Sequence, residues 1–305
     1  MALIPPFFLD CVVAIGFPGD DGKARYAATG FLYGHLMEKV SEEQKRYRIF
    51  LVSNRHVFES ERIAFLRFNP EGAEPAREYD LPLLDADGNR VWKAHSDPEV
   101  DIAVIGINAN LLREHGIRFE WFRDDQHRLN RESAKAQAVT EGDAVFVLGF
   151  PMGLVGEQRN FVVVRQGVIA RIRDCLETIR KEFLVDCAVF PGNSGGPVVT
   201  RPEMMSISGT KSANAAHLLG VVASYVPYRD VAISTQTKRP RVIFEENSGL
   251  ASAFPIDYVD DIVPDFLAPS LPPPVIQEAA PPEKSASDTQ TPNQSLQPTA
   301  GRPDD

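Results

Sequence analysis

Short runs of β-branched and aromatic residues, each closed off by Gly, Pro, Asp or Asn, succeed one another along most of this chain. Runs of that length suit strands, and long helical periodicity is nearly absent. One series covers residues 10–17, 28–34, 47–53, 62–68 and 101–107; a second covers 144–150, 161–172, 182–190, 196–200, 218–226 and 252–256. Helical patterns are confined to the neighbourhood of Asn108 to Glu114 and to 257–263. The chain is therefore expected to be all-β, a sandwich or barrel. A polar stretch at 113–142, containing DDQHRLNRESAKAQ, reads as the connection between two β-domains spanning 8–112 and 143–267. Residues 268–305 hold PPP and PP clusters with Ser, Thr, Gln and Asp and no aromatic residue. This tail has too little apolar surface to offset its ordering entropy and is expected to be disordered.

The formal net charge of −10 argues against nucleic acid or an anionic membrane as the main partner, since both require a basic footprint. Three cysteines, Cys11, Cys175 and Cys187, form no CxxC pair and make a poor disulfide framework. Buried free thiols in a reducing compartment are expected, with a cytoplasmic location. Export by another route would leave Cys175 and Cys187 at a separation that allows a strand-to-strand bridge without requiring one. The start, MALIPPFFLD, is apolar but lacks the basic stretch of a signal peptide, and Pro5 and Pro6 break it well short of a membrane span.

The strongest chemical signal is PGNSGGP, residues 191–197. A serine nucleophile needs its hydroxyl clear of side chains and backbone N–H groups aimed at the developing oxyanion. Gly192, without a Cβ, suits one such N–H and Ser194 supplies the other. A Gly-rich turn between strands would carry the same residues, so the reading rests on partners. A base is needed to take the serine proton. His56, in FLVSNRHV (50–57), stands at a strand edge after the polar turn Ser53–Asn54. The other histidines, His35, His95, His115, His127 and His217, lack a comparable frame. The orienting acid is Asp101 in PEVDIAVIGI, set directly before an apolar strand. Each residue alone also fits a structural role; the order His, Asp, Ser joins them.

Other chemistries fit less well. GNSGG satisfies the G-x-S-x-G of α/β-hydrolases, but that fold needs a strand–turn–helix around the serine and a late histidine with an acid before it. There is no HExxH, the histidines do not cluster with acids, and GFPMGLVG lacks the GxxxxGK of a phosphate loop. No metal or cofactor is expected.

TGFLYG (29–34), LVSNRHV (51–57), DIAVIGI (101–107), GFPMGL (149–154) and DCAVFPGNSGGPV (186–198) together resemble the chymotrypsin-fold serine peptidases, and within them the bacterial HtrA/Deg-like branch. The resemblance implies two six-stranded antiparallel β-barrels with the active site in the cleft between them. It puts His56 and Asp101 on the first barrel and Ser194 on the second, with an oxyanion hole from the N–H groups of Gly192 and Ser194. It implies a serine endopeptidase acting on polypeptide substrates, and specifies no oligomeric state. No PDZ-like segment follows the catalytic part. Digestive trypsins carry aspartate where this chain has Asn193, so activation by cleavage is not implied. The position six before Ser194 is Ala188 and not an acid, so a pocket for Arg or Lys is not implied either. Ala188 and Val189 would form one pocket wall, and Ala223, Ser224 and Tyr225 another, favouring small or medium aliphatic side chains. The long, basic loop 227–249 is expected to shape the cleft or its access. The alternative reading is a catalytically silent relative that binds an extended peptide along a strand edge.

Overall fold

The computed structural model describes residues 3–19, 23–41, 44–59, 61–203, 210–267 and 277–278. One helical turn, Phe7–Asp10 (α1), leads into Val12–Pro18 (β1), Ala24–Lys39 (β2) and Lys45–Ser53 (β3), after which Arg55–Glu59 (α2) follows at once. Ile63–Pro70 (β4), Arg77–Pro82 (β5), Trp92–Ala94 (β6) and Ala103–Gly106 (β7) complete the first half. These strands pair antiparallel in the order β5-β4-β1-β2-β3-β7-β6. The expected first barrel is a curled sheet without a closing ladder. Among the described residues the three-residue β6 pairs only with β7, and the seam is spanned by an isolated bridge between Leu84 and Arg90 and by the Val91 N–H donating to the Leu83 carbonyl.

The connection is more structured than its polarity implies. It follows Ala109–Glu114 (α3) and contains Ile117–Arg118 (β8), Phe122–Arg123 (β9) and Arg131–Ala136 (α4). β9 pairs in parallel with β2, Phe122 opposite Tyr33, and Phe122 is fully buried. The second half contains Ala144–Gly149 (β10), Val163–Arg171 (β11), Arg173–Leu176 (α5), Phe183–Asp186 (β12), Pro197–Thr200 (β13), Leu218–Ile233 (β14) and Pro240–Pro255 (β15). It closes as a six-stranded barrel in the order β10-β11-β12-β15-β14-β13, and Asp257–Ile262 (α6) packs after it. The tail expected to be disordered lies outside the described residues, except for Gln277–Glu278 (β16), which pair antiparallel with Asp80 and Tyr79 on β5.

Side chains alternate across a strand, and here each side serves a different core. Val13, Ile15, Leu32, Ile49, Leu51, Ala103 and Ile105 fill the first half. Their neighbours Val12, Ala14, Phe31, Tyr33, Phe50, Val52 and Val104 face the second half instead. There they meet Phe146, Leu148, Phe150, Leu218, Val221 and Ala223, while Val145, Val147, Leu219 and Val222 turn inward into the second barrel. Burial on both faces explains the unbroken apolar runs in the sequence. Phe8 of α1, Val259 and Ile262 of α6, and Phe266 join this shared core, so both ends of the folded chain cover the seam.

Residues 227–249, expected as a loop, are instead a two-stranded arm. β14 and β15 stay paired out to Ile233 and Pro240, and the arm exposes Tyr228, Ile233, Ile243 and Phe244. Cys11, Cys175 and Cys187 are buried free thiols. Among the described residues no helix is long and apolar enough to cross a membrane.

His127 sits in the connection with its ring against Phe7, Phe8 and Phe122. Its Nδ1 accepts the Arg123 N–H at 3.0 Å. Burial, reinforced by the charge of Arg123, lowers its pKa from 6.5 to about 4. The unfolded chain therefore takes up a proton that the folded chain refuses. The stability tied to His127 is complete above pH 6.5 and is lost as the pH falls towards 4. Scanning calorimetry across this range should show a steeper fall in thermal midpoint for the wild type than for His127→Gln; parallel curves would refute the assignment.

Candidate active site

β3 ends at Ser53, and Asn54 breaks the ladder so that α2 can rise from the sheet edge. Val57 and Phe58 anchor α2 in the first-half core, which leaves His56 facing outward with 55% of its side chain exposed. Its Nδ1 lies 2.5 Å from Asp101 Oδ2, and its backbone N–H donates to Asp101 Oδ1 at 3.0 Å. Both carboxylate oxygens are thus committed to one residue. An acid partner places the proton on Nδ1 and leaves the Nε2 lone pair outward. Asp101 is fixed by the fully buried Val100 and Ile102 on either side. Asn54 Nδ2 also donates to its carbonyl at 2.7 Å.

No sequence motif singles out Arg55, which lies beside His56. Its guanidinium fills the bend 95–100, donating to the carbonyls of His95 at 3.0 Å, Asp97 at 2.9 Å, Pro98 at 3.3 Å and Val100 at 2.7 Å. From the second barrel, Lys181 Nζ reaches Asp97 Oδ2 and Glu99 Oε2, each at 2.5 Å. The bend that precedes Asp101 is thereby gripped from both halves.

The segment 191–197 is a tight turn. Gly192 and Gly195 have φ of +99° and +82°, in the left-handed region. A Cβ on Gly192 would stand 2.4 Å from the Phe150 carbonyl oxygen, and one on Gly195 2.2 Å from Ser53 Oγ and from the Thr29 carbonyl oxygen. Asn193 is wholly buried; its Oδ1 accepts the Phe190 N–H at 3.0 Å and its carbonyl accepts the Gly196 N–H at 2.9 Å. Asn193 therefore closes the turn on itself. Gly195 N–H donates to the Val222 carbonyl at 2.9 Å, and the Thr29 N–H donates to the Ser194 carbonyl at 3.0 Å. Ser53 Oγ, three residues before His56, donates to the Thr29 carbonyl at 2.8 Å. These bonds seat the Ser194 turn against the end of β3, the strand from which His56 rises. Among the described residues, no acceptor meets the N–H of Gly192 or of Ser194, and no hydrogen bond joins His56 Nε2 to Ser194 Oγ.

With the two halves, the His56–Asp101 pair and the glycine turn in place, the sequence can be set beside known families. It matches the trypsin-like peptidase domain over residues 28–203, more than half of its length. The chain belongs to the trypsin-like peptidase family. The solved apo protease domain of MamO from Magnetospirillum magneticum is similar at 13% identity and a TM-score of 0.44, covering 84% of this chain and 97% of its own. No curated protein matches the chain.

In this trypsin-like domain the residues expected to wall the primary pocket do not all face one space. Val189 is only 2% exposed and belongs to the second-barrel core; its carbonyl accepts Asn247 Nδ2 at 2.5 Å. Ala223 is buried in the shared core, Ala188 is half-buried and Ser224 is exposed. The Tyr225 hydroxyl donates to Glu245 Oε1 on the arm at 2.8 Å, so its tip is tied to β15. Among the described residues no group of His, Cys, Asp and Glu is placed to hold a metal ion. Arg55→Met keeps the stem but strips the bend of its donors, including the one to the buried Val100 carbonyl. A loss of about 1–3 kcal/mol is expected, read as a lower midpoint in thermal or urea unfolding; an unchanged midpoint would refute the bracing role.

Proposed function

We propose that this chain is a serine endopeptidase in which Ser194 is the nucleophile, His56 the general base and Asp101 the orienting acid. The observation that carries the reading is the two-point contact of His56 with Asp101. It fixes the ring plane and the tautomer, with Nε2 turned away from the acid and free to accept a proton. The free N–H groups of Gly192 and Ser194 on the adjoining turn support it, because unoccupied donors at a Gly-rich turn are what an oxyanion requires.

The chemistry follows from these groups. Ser194 Oγ attacks the scissile carbonyl as its proton passes to His56 Nε2, and the former carbonyl oxygen carries the negative charge against the two N–H groups. Collapse breaks the C–N bond, and the departing amine takes the proton from His56. Water then attacks the acyl-enzyme, giving its proton to Nε2; the second collapse breaks the bond from the acyl carbon to Ser194 Oγ, which takes that proton back as the acid is released. The imidazolium formed at each stage is stabilised by Asp101. Polypeptides are the proposed substrates, with Ala188 in place of an acid on the pocket wall and therefore a preference for uncharged side chains. The lack of a hydrogen bond between His56 and Ser194 also fits the second reading, a silent peptide-binding domain, although such bonds are often long before substrate arrives.

Cleavage of casein and labelling by a fluorophosphonate separate the two. The wild type should cleave and label, Ser194→Ala should do neither, and Asp101→Asn should lose about 10⁴-fold in kcat. A folded wild type that neither cleaves nor labels would sink the peptidase reading in favour of peptide binding.

A further inference from the structure

We infer that Thr29 is a positioning residue for the oxyanion hole, its side-chain hydroxyl holding the Gly192 N–H in the donating orientation. The inference rests on the reading of Ser194 as nucleophile and deepens it. Thr29 lies on β2 in the first half, is wholly buried, and uses every polar atom it has. Its N–H and carbonyl join the Ser194 carbonyl and Ser53 Oγ. Its hydroxyl donates to the Gly192 carbonyl at 2.6 Å and accepts the Phe150 N–H at 3.0 Å.

The need for such a tether comes from Gly192 itself. A glycine tolerates either sign of φ, so the peptide plane on either side can rotate with little steric resistance. Rotation of the 191–192 peptide would swing its N–H out of the cleft and its carbonyl in, replacing a donor with an acceptor where negative charge develops. Two bonds oppose this. The Pro191 carbonyl accepts the Met152 N–H at 2.6 Å, and in a trans peptide the Gly192 N–H must then point the opposite way. The Gly192 carbonyl, in the next peptide plane, is held by Thr29. Gly192 is thus fixed from both sides.

The Thr29 hydroxyl makes the second tether directly and bears on the first through Phe150. Through the Phe150 N–H, Thr29 also secures the start of the turn Pro151–Gly153, whose Met152 adopts a left-handed φ of +55° to present its N–H to Pro191. That conformation is disfavoured for a residue with a side chain, so the turn depends on its flanking bonds. Loss of the Thr29 hydroxyl would leave the Gly192 carbonyl free and loosen the support of the Pro191 carbonyl together.

The test compares Thr29→Val and Thr29→Ser with the wild type in cleavage of a chromogenic peptide, in the rate of fluorophosphonate labelling, and in inhibition by a peptide trifluoromethyl ketone, which forms a tetrahedral oxyanion on serine. Thr29→Val should lower kcat and the labelling rate about 10- to 100-fold, less than the 10²–10³ that follows outright loss of a donor. It should weaken the ketone by a similar factor and leave KM within about threefold. Thr29→Ser should restore all three. A merely structural role would change the thermal midpoint without this split between kcat and KM. Should Thr29→Val fail to fold, Thr29→Ser against Thr29→Ala isolates the hydroxyl in a smaller side chain. The inference is overturned by equal kcat across the variants, by a change in KM alone, or by a serine variant as slow as the valine. A wild type that neither cleaves nor labels overturns the peptidase reading itself, and this inference falls with it.

Discussion

Several strands of this protein must satisfy two cores at once. β1, β2, β3 and β7 point alternate residues into the first half and into the seam, and β10 and β14 do the same from the other side. Side-chain period in a strand is two, so a slip of one residue would exchange the two sets and misplace both. A sheet with one wet face tolerates polar errors on that face; the inner stretches of these strands, which the two cores cover, have none. Register is therefore fixed twice over, and the seam inherits its geometry from the same residues that build each half. The apolar seam, to which Phe8 and Phe266 both contribute, binds the halves into one body.

Apolar contact brings surfaces together without fixing their orientation. At the rim of the seam hydrogen bonds do that. Thr29, Ser53, Asn54 and Asn193 are wholly buried polar residues, and they lie where β2, β3 and the Ser194 turn converge. Buried polar groups in a low-dielectric setting are costly when unpaired and directional when paired. Proximity of the candidate site thus comes from the shared core, and its angles from a small network at the edge. The Arg55 clamp and the Lys181 contacts extend the same arrangement to the bend before Asp101.

Much of this was legible in the chain. The strand runs and the division into two halves follow from apolar runs bounded by turns. His56 and Asp101, which the structure brings into contact, are joined in the sequence only by the order of the three residues and the family resemblance. What stayed hidden has physical causes. Residues 227–249 pair as strands with both faces in solvent, so no alternation marks them and they read as a loop. The connection looks polar because its buried anchors, Ile117, Phe122, Leu129 and Ala134, are few and scattered among exposed residues. Val189 is apolar whether it lines a pocket or packs a core, and only the fold places it in the core. The incomplete closure of the first half depends on how far three residues of β6 can reach. Thr29 stood in view within TGFLYG, but its hydroxyl acts on Gly192, far along the chain, and no local pattern encodes such a contact.

The arm formed by the outer halves of β14 and β15 has a different standing from the rest of the molecule. Its outer residues belong to none of the three cores, yet it grows directly out of the strand that carries Ala223, Ser224 and Tyr225. Surface elements of this kind accept insertion, deletion and substitution with little effect on folding. The chain is therefore divided into parts that differ in how much change they can tolerate. Packing on two faces and the close backbone approaches at Gly192 and Gly195 restrict the residues that fit the strands and the turn, while the outer arm carries no such restriction. Changes to the surface of the arm can therefore be made beside the candidate site without repacking any of the three cores.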